Sequence, residues 1–352
     1  MADNERQGFL MNINHLKIKI IQDVQIAFER MTELKMEVIP EYAYTPLGLD
    51  ARIRIIAGDR RMEFAAEVIP TLTNAALGLI FQQIDLQKRQ VLIIAKYVTP
   101  QMADRLKKMD IPFIDAAGNA YLNAPQLFLF IKGNKKPDKY LTTAAPGTFR
   151  QAGLKVVFAL LCNPGLENMP YRKIADQAQV ALGTVGGIMH DLQRMDHLID
   201  MGAKGRRLLN KKHLLTRWVT NYPDLLRPKL MVGRFRAHDI NWWKNINFNN
   251  NAYFGGEVAA HILTKYLKPQ IVTIYTHQPL GPILLQNRIK KDPAGDIEIL
   301  KIFWNFRFKW QYPNLAHPIL IYADLIATGD ERDIETAKII YEKELYGFIR
   351  ED

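Results

Sequence analysis

Three positively charged side chains lie within four residues of one another near the middle of the chain. They are Lys204, Arg206 and Arg207, in and just after the segment Met201-Gly202-Ala203-Lys204-Gly205-Arg206. Glycines let a chain turn tightly and let its backbone approach a neighbouring molecule closely. We interpret this segment as a glycine-rich basic hairpin, whose cations could contact the phosphates or the minor groove of a nucleic acid. A solvated basic hairpin without a partner is the alternative interpretation.

The residues before this hairpin show the pattern of a helix-turn-helix. That motif needs a small residue where its two helices cross, apolar residues on both inner faces and a tight turn. In residues 171–192, Ala175 supplies the small residue. The inner-face positions are Ile174, Ala178, Val180, Val185, Ile188 and Leu192.

Further elements extend this motif on both sides. Leu154–Leu161 predicts a supporting helix, and Leu198–Asp200 and Arg207–Leu209 predict the two strands of the basic hairpin. Three helices followed by a hairpin are typical of a winged helix-turn-helix. The sequence therefore predicts a DNA-binding domain of this kind over residues 148–236.

The second helix of the motif leaves few long side chains free to reach DNA. Gly186 and Gly187 lie inside it, where two glycines cost roughly 1–2 kcal/mol relative to alanine. Close approach of this helix to a DNA backbone would explain the glycines, and a degenerate recognition helix is the alternative. The predicted DNA contacts from the helix and the hairpin are Thr184, His190, Gln193, Arg194, Lys204, Arg206 and Arg207.

The distribution of charge indicates a polyanionic partner for the same segment. The chain has 352 residues and a formal net charge of +11. Residues 149–236 hold 15 basic and 6 acidic side chains, which gives +9, against +3 for residues 1–148 and −1 for residues 237–352. Clustered positive charge displaces counterions from nucleic acid. We therefore expect this segment to bind double-stranded DNA.

The first third of the chain alternates helix and strand patterns. Expected helices cover Ile18–Leu34, Leu72–Gln87 and Pro100–Met109. Expected strands cover Met36–Pro40, Arg52–Ala57, Met62–Val68, Val91–Ala95, Ile111–Asp115 and Leu127–Ile131. Gly58-Asp59-Arg60 is a hairpin turn between the second and third strands. This order predicts an α/β domain over residues 1–134.

The order of these elements resembles the core of restriction-endonuclease-like folds. In such folds an Asp and a Glu-x-Lys on the next strand form the site, where the carboxylates hold Mg²⁺ and the lysine supports the attacking water. The matching residues here are Asp50 and Glu67, but Ile69 stands at the lysine position. An apolar side chain cannot stabilise the charge of the transition state. The resemblance therefore implies a degenerate domain without enzyme activity and a vestigial site at Asp50 and Glu67, unless these two are ordinary charges at a strand edge.

Other polar residues form no recognisable catalytic or metal-binding pattern. The eight histidines lack metal-ligand spacing, and Cys162 is the single cysteine, so the sequence predicts no intrachain disulfide, no metal and no cofactor. The segment 115–119 (Asp-Ala-Ala-Gly-Asn) predicts a sharp turn, with a small polar site as the alternative. His317 and Asp324 could form a polar cluster, or they could be an ordinary turn residue and a surface charge on a helix.

Several short segments from about residue 90 onward have a recognisable pattern: Phe113–Leu122, Ala152–Leu161, Leu182–Val185, Gly205–Leu209, Trp218-Val219, Tyr222-Pro223, Arg227–Leu230, Gly255–Glu257, Ala316–Pro318 and Tyr322–Ala327. Together these segments are similar to the AbiEi-type antitoxins of type IV toxin–antitoxin systems. The resemblance implies a winged-helix repressor of its own operon that counteracts a nucleotidyltransferase-type toxin in abortive infection. It also implies that the antitoxin does not hold the toxin in a tight complex.

The whole chain is expected to form three domains in the cytoplasm. No apolar run approaches the roughly 18 residues of a membrane span, and the polar start Met1–Gly8 is unlike a signal peptide. The domains expected are residues 1–134, residues 148–236 and an α+β domain over residues 237–352, whose role the sequence does not indicate. A nuclease or nucleotide-modifying enzyme that uses the winged helix for targeting is the competing function, and Ile69 favours the regulator.

Overall fold

Two units, Met1–Ala144 and Ala145–Asp352, make up the fold. The computed structural model describes residues 2–39, 50–83, 91–125, 127–140, 147–239, 241–246, 248, 252–277, 281–307 and 310–349. The boundary between the units falls in the expected linker between the first two domains, of which residues 141–146 lie outside the described residues. Both units combine helices with a sheet, so the predicted mixed α/β class is confirmed. None of the described helices has an apolar stretch long enough to cross a membrane.

A seven-stranded sheet with the order β1-β2-β3-β4-β5-β6-β7 forms the first unit. Its strands are β1 (Lys35–Val38), β2 (Ala51–Ala57), β3 (Arg60–Ile69), β4 (Val91–Ala95), β5 (Phe113–Asp115), β6 (Ala120–Ala124) and β7 (Leu127–Ile131). Strands β3, β4 and β5 are parallel, and the other neighbours are antiparallel. The sequence prediction lacks β6, which is a strand because it pairs with β5 on one side and β7 on the other.

Helices cover both faces of this sheet. They are α1 (Ala2–Thr32), α2 (Asn74–Gln83) and α3 (Pro100–Lys108). Val24 and Phe28 of α1 pack against one face, and Met102 and Leu106 of α3 pack against the other. The apolar run of β4 is buried throughout, as expected for a central strand covered on both faces. Pro40 and residues 84–87, which belong to an expected strand and an expected helix, lie outside the described residues.

The second unit begins with three helices and a two-stranded hairpin. They are α4 (Gln151–Cys162), α5 (Tyr171–Ala178), α6 (Leu182–Arg194), β8 (Leu198–Asp200) and β9 (Arg206–Leu208). These elements match the predicted ones to within a few residues. Ile174, Val185, Ile188 and Leu192 are buried, because apolar side chains at steps of three and four share one face of a helix.

A five-stranded sheet and further helices complete the second unit. In chain order they are α7 (Lys211–Leu225), α8 (Arg227–Leu230), β10 (Met231–Arg236), β11 (Ala252–Gly255), α9 (Gly256–Thr264), β12 (Val272–Thr276), α10 (Gly281–Gln286), β13 (Lys290–Lys291), β14 (Ile297–Lys301), α11 (Pro318–Thr328), α12 (Glu331–Ile340), a π-helical turn (Tyr341–Leu345) and α13 (Tyr346–Ile349). The strand order is β11-β12-β14-β10-β13.

Helix α7 packs against both α4 and α11. Its Trp218 is fully buried, and the indole N–H of Trp218 donates to the carbonyl oxygen of Leu154 at 2.8 Å. The helix thus connects the three N-terminal helices of this unit with its C-terminal part. The division of the unit into domains at residues 236–237 stays a prediction.

Candidate nucleic-acid interface

The turn between α5 and α6 is short and is held by a loop from the C-terminal part of the same unit. Gln179 ends α5 in a left-handed conformation with φ of 50°. The amide Nε2 of Gln179 donates to the carbonyl oxygen of Trp304 at 3.2 Å. Asn305 donates its backbone N–H to the carbonyl oxygen of Gln177 at 2.8 Å and its side-chain amide to Asp176 at 3.0 Å. These bonds fix the turn between α5 and α6.

Helix α6 exposes three of its four predicted contact residues. Thr184, His190 and Arg194 are exposed, whereas Gln193 is half-buried. The Arg194 guanidinium lies 3.6 Å from a carboxylate oxygen of Asp191, one turn earlier on the same helix. An exposed ion pair of this kind contributes little to stability, so it leaves Arg194 available for another anion.

The glycines of α6 are not required by the packing of the described residues. Gly183 and Gly187 are exposed, and a Cβ at either position would meet no atom of the described chain within 4 Å. At Gly186 a Cβ would lie 3.7 Å from a ring carbon of Tyr171, which is an ordinary contact. Alanine would therefore fit at these positions and would favour the helix. The exposed backbone of α6 is consistent with close approach by a partner.

The hairpin of β8 and β9 carries the three predicted cations. Its strands pair antiparallel, with Asp200 opposite Arg206. Gly202 and Gly205 adopt left-handed φ angles of 62° and 80°, which only glycine reaches without strain. Lys204 in the loop and Arg207 on β9 are both exposed.

Arg206 differs from the other two cations because it contacts its own chain. Its backbone N–H donates to the side-chain oxygen of Asn168 at 2.5 Å, and its guanidinium donates to the carbonyl oxygen of Met169 at 3.0 Å. The guanidinium carbon also lies 5.0 Å from the centre of the Tyr171 ring, a cation–π distance. Arg206 thus holds the hairpin against the segment that leads into α5.

The two carboxylates of the predicted vestigial site lie together in the first unit. Ala51 pairs with Ala66, so that Asp50 lies opposite Glu67 on the neighbouring strand. Lys17 of α1 places its ammonium nitrogen 2.5 and 2.6 Å from the two carboxylate oxygens of Asp50. Sequence reasoning missed Lys17, because it precedes Asp50 by 33 residues and only the packing of α1 brings it there.

Burial and the neighbouring charges of Asp50 and Lys17 determine the pKa of Glu67. Burial and the neighbouring Asp50 carboxylate together raise its pKa to about 7, against the opposing effect of Lys17. Among the described residues, no group of three His, Cys, Asp or Glu side chains could hold a metal ion. The Lys17 ammonium already covers both oxygens of Asp50, the face that a metal ion would need.

The polar turn at residues 115–119 is saturated by its own hydrogen bonds. One carboxylate oxygen of Asp115 accepts the backbone N–H groups of Ala117 and Asn119 at 2.8 and 2.9 Å. The other accepts the backbone N–H of Val98 at 2.7 Å and the side-chain amide of Asn119 at 2.8 Å. This arrangement fits the interpretation of a structural turn.

A buried ion-pair network in the second unit was missed by sequence reasoning. Asp324 is buried, so its interpretation as a surface charge on a helix is wrong. The guanidinium of Arg227 donates to Asp324 at 3.0 Å and to Glu298 at 2.7 Å, and the Tyr275 hydroxyl donates to Asp324 at 2.8 Å. Burial raises the pKa of Asp324, whereas Arg227 and the hydrogen bonds oppose the change.

The network lies beside a cavity of about 330 Å³ that Arg227, Glu298 and Asp324 help to line. The signal for Arg227 in the sequence was its place in a segment similar to the antitoxins, but no spacing linked it to Asp324. His317 has a separate role, because its Nδ1 accepts the backbone N–H of Ile319 at 3.2 Å and so caps α11. Burial lowers the pKa of His317 to about 3, which keeps the ring neutral for this bond.

The comparisons with known proteins bear on the C-terminal part of the chain. No curated protein and no solved structure matches the chain. A protein-family model matches a range that begins at Arg207 on the hairpin and includes Arg227, Glu298 and Asp324. Residues 207–346 match the model of the AbiEi antitoxin family, transcriptional regulators of type IV toxin–antitoxin systems, so the resemblance found in the sequence is confirmed over that range.

Proposed function

We propose that the protein is a DNA-binding transcriptional regulator of the antitoxin type, acting in the cytoplasm. Residues 148–236 would form its winged helix-turn-helix. The observation that carries this proposal is the pair of helices α5 and α6 with a short fixed turn, followed by a hairpin whose Lys204 and Arg207 are exposed. A helix of this kind enters the major groove, and the hairpin contacts the neighbouring phosphates.

The individual contacts follow from exposure and bonding. Thr184 and His190 are the side chains of α6 that reach bases, Arg194 contacts a phosphate, and Gln193 contributes through its exposed part. Lys204 and Arg207 contact phosphates directly. Arg206 acts by positioning the hairpin, because its guanidinium is engaged with Met169 and Tyr171.

The family match supports the antitoxin part of the proposal. The protein would repress its own operon and counteract a nucleotidyltransferase-type toxin without a tight complex. Co-expression with a nucleotidyltransferase-type toxin tests this role. We expect the chain to restore growth while the two proteins migrate separately in gel filtration. Growth arrest that the chain does not relieve would contradict the antitoxin role.

DNA binding is tested with duplex fragments from the region upstream of the protein's own gene. Fluorescence anisotropy should show tighter binding to one of these fragments than to a shuffled duplex of the same composition. The doubly substituted variant Thr184→Ala with His190→Ala should lose this preference while it keeps its affinity for the shuffled duplex. Equal affinity of the native chain for both duplexes would contradict sequence-specific regulation.

A nuclease of the first unit is the second candidate function, and Lys17 is the observation that favours it. Its ammonium lies beside Asp50 and Glu67, where Ile69 supplies no charge. We still favour an inactive domain over residues 1–134, because Lys17 covers both oxygens of Asp50. We expect no Mg²⁺-dependent cleavage of plasmid DNA, and cleavage that disappears in Glu67→Ala would establish the nuclease instead.

A further inference from the structure

An exposed aromatic side chain stands out on the last strand of the seven-stranded sheet. Phe128 is 64 % exposed, although it belongs to a regular strand, β7. Phe130, two residues later, lies on the same face and packs against the cluster formed by α3 and the sheet. The face is therefore anchored at Phe130 and open at Phe128.

The aromatic rings form an ordered group. The Tyr121 ring of β6 lies 6.2 Å from Phe128 and 5.9 Å from Phe130, both in edge-on geometry. Tyr121 is fixed by its hydroxyl, which donates to a carboxylate oxygen of Asp110 at 2.6 Å. This arrangement fixes Tyr121 beside both rings, while Phe128 itself stays 64 % exposed.

Two lysines lie close to this aromatic group. The Lys107 ammonium lies 4.2 Å from the ring centre of Phe130 and 5.7 Å from that of Phe128. Lys132 lies 5.7 Å from the ring centre of Phe130, and Lys108 follows Lys107 in the last turn of α3. These lysines are exposed.

The nearby carboxylates already have partners. Asp104 pairs with Lys132, and Asp110 accepts from Tyr121 and from the side-chain amide of Asn123. Within the described ranges, no carboxylate pairs with Lys107 or Lys108. The patch therefore offers an open aromatic face beside uncompensated positive charge.

We propose that this patch binds single-stranded nucleic acid, with a base stacked on Phe128 and an adjacent phosphate at Lys107. Base stacking on an aromatic ring beside cations is the common mode of single-strand binding without sequence preference. The site lies in the first unit and is distinct from the duplex-binding helices proposed for the second. A protein partner on this face would gain from burying Phe128 but would have to desolvate Lys107, so the charge favours the polyanion.

The test uses the full-length chain with Lys204→Ala and Arg207→Ala, so that the hairpin contributes little to binding. Fluorescence anisotropy is measured with labelled oligo-dT and oligo-U of about 12 nucleotides, within the usual site size of such proteins. We expect Phe128→Ala and Phe128→Leu to weaken binding about tenfold. Lys107→Ala should lower the slope of log K against log salt by about 0.7, the value for one phosphate of a single strand.

A matched control separates stacking from general loss of an aromatic residue. Tyr346 is 57 % exposed in the second unit, and Tyr346→Ala should leave the affinity unchanged. Thermal unfolding of each variant checks that the fold is intact. Equal affinity for the oligonucleotides with Phe128, with Phe128→Ala and with Phe128→Leu would overturn the proposal. So would self-association that disappears in Phe128→Ala while oligonucleotide affinity stays constant, which would assign the patch to a protein interface.

Discussion

Removal of the two exposed cations of the hairpin should change how DNA binding depends on salt. Lys204 and Arg207 are exposed, whereas Arg206 is engaged with Asn168 and Met169. Each phosphate contact on duplex DNA contributes about 0.9 to the slope of log K against log salt. The variant Lys204→Ala with Arg207→Ala should therefore flatten the slope by about 1.8.

The change in slope also implies a change in affinity for DNA. Between about 50 and 200 mM salt, a slope change of about 1.8 corresponds to roughly a twelvefold difference in the loss of affinity. Arg206→Ala should behave differently. It should weaken binding by releasing the hairpin from Tyr171, with a slope change well below that of the double variant.

The assay is fluorescence anisotropy with the upstream duplex across a salt series. Lys268→Ala with Lys338→Ala is the matched control, because it removes two exposed lysines of the same unit away from the hairpin elements. The control should keep the native slope. An unchanged slope in Lys204→Ala with Arg207→Ala would show that the hairpin does not contact DNA. A slope change of about 0.9 in Arg206→Ala would show that Arg206 contacts a phosphate directly.

Four further predictions concern α6, the carboxylate pair, the buried network and the linker. Gly187→Ala should stabilise the chain by about 1 kcal/mol in thermal unfolding, because the position is helical and open, yet weaken operator binding; stronger binding would exclude close approach of the α6 backbone. The pKa of Glu67 is raised from 4.5 to about 7, so its favourable contribution to folding is complete below pH 4.5 and is lost as the pH rises through 7. The free energy of unfolding, measured in urea, should therefore fall less between acid and alkaline pH for Glu67→Gln than for the native chain. Parallel pH dependences of the two proteins would refute the raised pKa of Glu67. Asp324→Ala should destabilise the second unit by about 3 kcal/mol in urea unfolding, because Arg227, whose side chain is only 19 % exposed, is left with one carboxylate fewer; a loss below about 1 kcal/mol would contradict this. Limited proteolysis should cut first between Lys135 and Ala145, beginning at the exposed Lys135 and Lys136 rather than beside the buried Tyr140; a first cut within the buried strand Val91–Ala95 would overturn the division into units.

Local patterns in the sequence determined most of the elements that lie near the proposed interface. The steps of three and four between Val185, Ile188 and Leu192 predict α6, because residues at this spacing form one apolar face of a helix. Burial of that face against the core stabilises the helix. Gly202 and Gly205 predict the hairpin, because a tight turn needs left-handed backbone there. The run Val91–Ala95 predicts a central strand, because only a strand covered on both faces is apolar at every position.

Contacts between residues distant in the chain were decided only by tertiary structure. The strand β6 exists through pairing with two neighbours, and its own short run lacks a strong pattern. Lys17 reaches Asp50 because α1 packs across the sheet, and Arg227 reaches Asp324, 97 residues later, because α7, which leads into α8, packs against α11. No spacing rule covers such distances.

The same limit explains the roles of the predicted cations. The sequence determined that Lys204, Arg206 and Arg207 lie on one basic hairpin, since turn chemistry and charge are local properties. It did not distinguish Arg206 from the other two. That distinction depends on Met169 and Tyr171, which approach Arg206 only when α5 and the hairpin pack together and fix the direction of its guanidinium.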